Sequence, residues 1–241
     1  MIYSILANTI NSIRITPAPS SGISIDDITI TSYPNLVTIA DGAISIDLPP
    51  TAVAGDVVFI YANTDWISST RPLSIPTGWT EHFWWGNATS DNSGNLWSKT
   101  IDATDVSNGY VETIWIVQST TRDILFHSFI GTGVDASNPV SDVGTIKISD
   151  QGTSMTVNGI TPTYDGLALG FWGYDGGDGE PTTLNAGWTK LAEQECDPTL
   201  SGLLGGFASK ETTAGVATGN LIVTFQVSDG YGGIIVNLKQ V

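Results

Sequence analysis

Gly55-Asp56-Val57-Val58-Phe59-Ile60-Tyr61-Ala62 and Asp165-Gly166-Leu167-Ala168-Leu169-Gly170-Phe171-Trp172 decide how this chain folds. Each is a turn followed by a short run that is apolar on both faces. Bounded by turn residues, such a run reads as a fully buried central strand. The two runs stand 110 positions apart, and other segments keep nearly the same spacing. GWT at 78–80 recurs at 187–189, an offset of 109. LWSK ending at Lys99 resembles GFASK ending at Lys210, and AISID from Ala43 aligns with SMTVN from Ser154, both at 111. VETIWIV from Val111 aligns with LIVTFQV from Leu221, and ILF at 124–126 with IIV at 234–236, both at 110. An ordered set of matches at one offset is an internal repeat.

Outward from these strands the pattern stays β. Sustained helical periodicity is absent, and apolar runs are separated by DG, DNSGN, SNG, DQG, DGGDG and SDGYGG clusters. That is the signature of an all-β sandwich or barrel. We expect a jelly-roll-like antiparallel β-sandwich built from two homologous five-strand halves, about 35–130 and 145–241. Each half could be its own small sandwich, but the short link between them favours a single fused sandwich to which both halves donate strands. Residues 1–34, with PAPSSG at 17–22, fall outside the repeat and read as an N-terminal arm or adaptor strand.

The chain has 241 residues with 24 acidic and 8 basic side chains, a formal charge of −16. That charge repels phosphate backbones, so no nucleic-acid partner is expected. No apolar run reaches the ~18–20 residues of a membrane helix, so no membrane partner is expected either. The start, MIYSILANTINSIRIT, lacks a basic n-region and a cleavage site, so no signal peptide is expected. A single cysteine permits no internal disulfide and suits synthesis in a reducing cytosol.

Few side chains suggest chemistry. His127 lies inside an apolar strand and reads as a core or sheet-surface histidine; His82, in TEHFWW, reads as a loop residue. Cys196 sits between carboxylates in EQECDP, which opposes thiolate formation. No enzymatic activity is expected. Asp175, Asp178 and Glu180 form a glycine-spaced acidic loop. It reads either as a calcium site or as a solvated hairpin tip; no other cofactor is expected. Trp79 and Trp188 of the repeated GWT read as core. So do Trp97, set against Phe207, and Trp115, set against Phe225. Trp66, Trp84 and Trp85 have no counterpart and read as interface anchors, glycan contacts or structural residues.

The succession Gly55-Asp56 with its strand, Pro76 to Thr80 around GWT, Ser98-Lys99, VETIWIV, ILFHSFIG and a degenerate second copy resembles β-sandwich surface proteins of tailed bacteriophage virions. These are head decoration or cement proteins, head fibres and small tail-fibre modules. The resemblance covers about residues 35–241. It implies cytoplasmic assembly onto a virion surface, contact with capsid or other virion proteins, and homo-oligomers, often trimers; it carries over no site residues. A receptor- or glycan-binding tail module is the alternative expectation, and a jelly-roll polysaccharide-degrading enzyme the third.

Overall fold

The computed structural model describes residues 8–13, 22–37, 43–65, 71–86, 92–114, 121–149, 151–176, 182–196 and 202–241. Trp66, Trp115, Asp178, Glu180 and residues 1–7 and 14–21 of the expected arm lie outside them.

The fold is an all-β antiparallel sandwich. In the first half, β1 (Asn8–Ile13), β2 (Ser24–Val37), β4 (Val57–Thr64), β5 (Thr80–Gly86), β6 (Ser93–Thr100) and β8 (Thr121–Thr132) form one sheet in the order β1-β2-β8-β4-β6-β5. A small sheet pairs β3 (Ala43–Asp47) with β7 (Tyr110–Ile114), and α1 (Ala103–Asn108) links β6 to β7. In the second half, β10 (Lys147–Ser149), β17 (Tyr231–Lys239), β12 (Gly166–Asp175), β15 (Leu203–Thr212) and β14 (Thr189–Glu195) form the large sheet, with β9 (Val140–Val143) also on β17. The small sheet there is β11 (Ser154–Val157), β16 (Leu221–Thr224) and β13 (Thr183–Leu184). The apolar runs after Gly55-Asp56 and Asp165-Gly166 are β4 and β12, each central in its sheet as expected.

Hydrogen-bond register confirms the repeat residue by residue. Val58 pairs with Lys99 and Ala168 with Lys210, which reproduces the offsets of 110 and 111. Ala43 pairs with Ile114 and Ser154 with Thr224, so the small sheets repeat too. Even the bulge is duplicated, between Glu81 and Phe83 in one half and Lys190 and Ala192 in the other.

Three expectations need correction. First, the last strand is offset by 107, not 110: Val58 faces Ile130 on β8, whereas its equivalent Ala168 faces Asn237 on β17. An odd slip would move every side chain of the strand to the opposite face. Second, the repeat starts near residue 22, not 35. β2 pairs with β8 as β9 and β10 pair with β17. Gly22 and Gly133 open the two copies with φ of 70° and 76°, a left-handed turn that glycine enters without penalty. Ile23, Ile25, Ile28 and Ile30 are buried in the core, so this part of the expected arm belongs to the body. Third, among the described residues the halves share no sheet. Every sheet draws its strands from one half, and the two large sheets stack face to face with a small sheet on each outer side.

Side-chain alternation produces this layering. Val57, Phe59 and Tyr61 of β4 face Leu167, Leu169 and Phe171 of β12 in one central core. Val58, Ile60 and Ala62 face outward onto Ile44 and Ile46 of the first small sheet. Ala168, Trp172 and Tyr174 face Met155, Val157, Leu221 and Val223 of the second.

The halves meet in reciprocal pairs. β8 touches β15 and β17 touches β6; β4 touches β15 and β12 touches β6; β8 touches β14 and β17 touches β5. Equivalent residues Tyr61 and Phe171 meet each other, ring centroids 4.9 Å apart. Residue i meeting j′ while j meets i′ is the mark of an isologous two-fold contact. The chain is thus a pseudo-dimer of its own halves.

Candidate functional site

The repeated motifs turn out to be fasteners. Trp79 and Trp188 are buried between large and small sheets. Lys210 Nζ lies 6.0 Å from the Trp188 ring centroid and donates to the Thr218 carbonyl. Lys99 pairs with Asp105 at 2.6 Å. Each lysine therefore ties its large sheet to the crossover that leads into the small one. The residues shared by GWT and SK serve packing in both copies.

Among the unmatched tryptophans, Trp85 lies in the core, not at the surface. It is 1% exposed, and its ring stacks on Phe83 at 5.2 Å. Its Nε1 donates to Asn92 Oδ1 (3.1 Å), Asn92 Nδ2 to Asn63 Oδ1 (3.0 Å), and Asn63 Nδ2 to the Leu204 carbonyl of the other half (2.9 Å). Glycines make the seat: a Cβ on Gly94 or Gly232 would come within 2.3 Å of the indole, and one on Gly173 within 2.2 Å of Asn63. Asn63 and Asn92 were not singled out from sequence. A lone asparagine at the end of an apolar strand carries no signal until its partner strand is known.

Trp84 is half-buried on β5 beside Arg71, whose guanidinium carbon is 5.8 Å from the ring centroid. Arg71 also pairs with Glu81 at 2.5 Å. Burial pushes the Glu81 carboxyl up, opposed by the Arg71 charge. An aromatic ring beside an ion pair suits a polar, ring-bearing ligand.

His82 is in strand β5, not in a loop: it is the bulged residue. Its Nε2 is 2.7 Å from Ser98 Oγ. Burial lowers its pKa to about 4, and such a ring has little basicity near neutrality. The second copy keeps the serine as Ser209 but has Leu191 in place of the histidine, so the serine belongs to the scaffold. His127 is fully buried between Tyr61 and Phe207. Cys196 is buried, with its Sγ donating to the Ile124 carbonyl of the other half at 3.4 Å.

Asp175 ends β12, and its N–H donates to the Gly230 carbonyl. A Cβ on the next residue, Gly176, would meet Asp229 at 2.8 Å. Among the described residues no three His, Cys, Asp or Glu side chains gather to hold a metal ion. Among them, too, no helix is long and apolar enough to cross a membrane. The chain matches no protein-family model, no curated protein and no solved structure.

Proposed function

We propose that this chain is a non-enzymatic structural protein of a tailed-phage virion surface, a capsid decoration or cement subunit contacting neighbouring capsid proteins. The observation that carries the reading is the use of the shared motifs. GWT, the SK lysine and the bulge build a rigid double scaffold in both halves, and a further strand, β1, is laid on one edge. A stiff body with an added edge strand is what a subunit needs to bridge neighbours. The net charge of −16 suits an outward-facing surface in contact with solvent. In this reading the protein is made in the host cytoplasm and joins the virion as a homo-oligomer, a trimer in the forms it resembles. We also read the order in which the chain alternates between layers as jelly-roll-like.

Imaging particles assembled with and without the protein tests this. Capsid density that disappears with the protein supports it; unchanged capsids overturn it. Attachment through the N-terminus is tested by deleting residues 1–21, because deletion to residue 34 would remove core strand β2.

Trp84 with Arg71 and Glu81 favours a second reading, a receptor- or glycan-binding module. Binding on a glycan array that is lost in Trp84→Ala would support it. A polysaccharide-degrading enzyme is the third, and steady release of reducing ends from host polysaccharide would establish it.

A further inference from the structure

The two large sheets match strand for strand, with β9 and β10 together standing for β2, except at one place. β1 pairs antiparallel with the outer edge of β2 in the first half, through Asn8↔Ser32, Thr9↔Thr31, Ile10↔Ile30 and Ile13↔Ile28. Among the described residues, the equivalent edge of the second half carries no such strand. There the edge is blunted in another way: it breaks into β9 and β10 around Gly144, and Lys147 on it is exposed. Short, interrupted, lysine-bearing edges resist pairing. The second half therefore shows that the module folds without a counterpart of β1.

β2 differs in being long and continuous enough to need a cover. Its outer edge over Ile28–Ser32 would otherwise present unpaired N–H and C=O groups. This acceptor edge is held in place without help from β1. Ile23, Ile25, Ile28 and Ile30 are anchored in the central core, and the Thr51 N–H and hydroxyl both donate to Asp27 Oδ2 at the kink in β2. Among the described residues β1 forms a ladder with β2 alone. The connection between partners Ile13 and Ile28 runs through residues 14–27 and includes Pro17 and Pro19. It is far longer than the 2–5 residues of a tight hairpin. A connection of that length lets β1 reach the β2 edge of its own chain or of a neighbour, and the ladder it makes on an identical β2 is the same ladder.

We propose that β1 is an exchange strand: it caps the β2 edge of a second copy of this chain and so links subunits. This deepens the assembly reading above by naming the element that joins copies. The self-association itself is a property of the purified chain, whichever surface it decorates.

Mixing two singly substituted full-length chains tests it, both in a Cys196→Ala background. One carries Thr9→Cys and the other Thr31→Cys, positions that face each other in the ladder. After joint refolding and mild oxidation, exchange yields a disulfide-linked heterodimer, identified by mass, as the main covalent product. A single chain carrying both substitutions should likewise give linked oligomers. Monomers with an internal disulfide, or no Thr9–Thr31 linkage at all, would overturn the proposal. The virion reading stands or falls separately, on the particle images.

Discussion

His127 is the residue on which solution conditions act most directly. It lies in the interface between the halves, stacked on Tyr61 at 5.8 Å and edge-on to Phe207 at 5.8 Å. Neither ring nitrogen has a hydrogen-bond partner among the described residues. Burial pushes its pKa down to about 3. A histidine whose pKa falls on folding stabilises the fold fully above its unfolded value near 6.5, and that contribution is lost as pH drops toward the folded value. His82, lowered to about 4 by burial, acts in the same window and the same direction. Stability should therefore fall between pH 6.5 and pH 3, by about 1.4 kcal/mol per pH unit for each histidine over the range its shift spans. The second half has Ile234 at the position of His127. His127→Ile should flatten the acid limb in urea unfolding followed at several pH values. A variant with the wild-type pH dependence would show that the limb has another source.

The tryptophans mark where reading single residues succeeds and fails. Trp79 and Trp188 were legible as core because both copies need them. Trp97 was set against Phe207, but the register makes Leu96 the equivalent of Phe207 and Ala208 that of Trp97. Bulk has moved across the sheet. Trp97 and Ala62 in one half become Ala208 and Trp172 in the other, on the same outward face. Volume is kept while position is not, and close packing demands only the former.

At the scale of elements, β2 turns on one residue. Asp27 has φ of 48°, the one positive value at a non-glycine among the described residues. It sits where the pairing with β8 shifts register between Asp26 and Thr29. Its carboxylate answers both the Thr51 N–H and the Thr51 hydroxyl. Asp27→Ala should cost about 2–3 kcal/mol, since it loses hydrogen bonds to a charged acceptor and leaves a less tolerant residue in the left-handed region. Asp27→Asn keeps an acceptor and tolerates that region, so it should cost less than about 1 kcal/mol. Chemical denaturation of the two variants checks the order; equal losses would remove Asp27 as the pin.

The segment SMTVN from Ser154, aligned with AISID in the first copy, is legible as a repeated strand, and it is β11. α1 was not, because six residues are too few to show a helical period. Its capping signals were nonetheless present: Asp102 and Asp105 form a reciprocal capping box, and Gly109 closes the helix in the left-handed region.

At the scale of the molecule, the interface between the halves is a hydrophobic core. Phe59, Tyr61, Phe129, Phe171 and Phe207 are all fully buried there. Neither half can expose that face in isolation without a large apolar patch. Split into residues 1–132 and 133–241 and co-expressed, the two pieces should bind one to one and purify together. Expressed alone, each should self-associate or precipitate. Light scattering on the co-purified and single pieces decides it; two soluble monomers that ignore each other would overturn the pseudo-dimer.

The amino-acid sequence alone determined the all-β class, the duplication and the central place of β4 and β12. These follow from local alternation, turn residues and the recurrence of motifs, all written along one strand at a time. It also marked the repeated GWT and SK as belonging to both copies. Only the tertiary structure decided that the halves keep separate sheets and stack about a pseudo-two-fold. The same structure placed β2 in the body and Trp85 under Gly94 and Gly232. An edge, a seat or a two-fold contact is a relation between distant strands. A one-residue change of register can reverse which face a side chain presents, and nothing local in the sequence records that register.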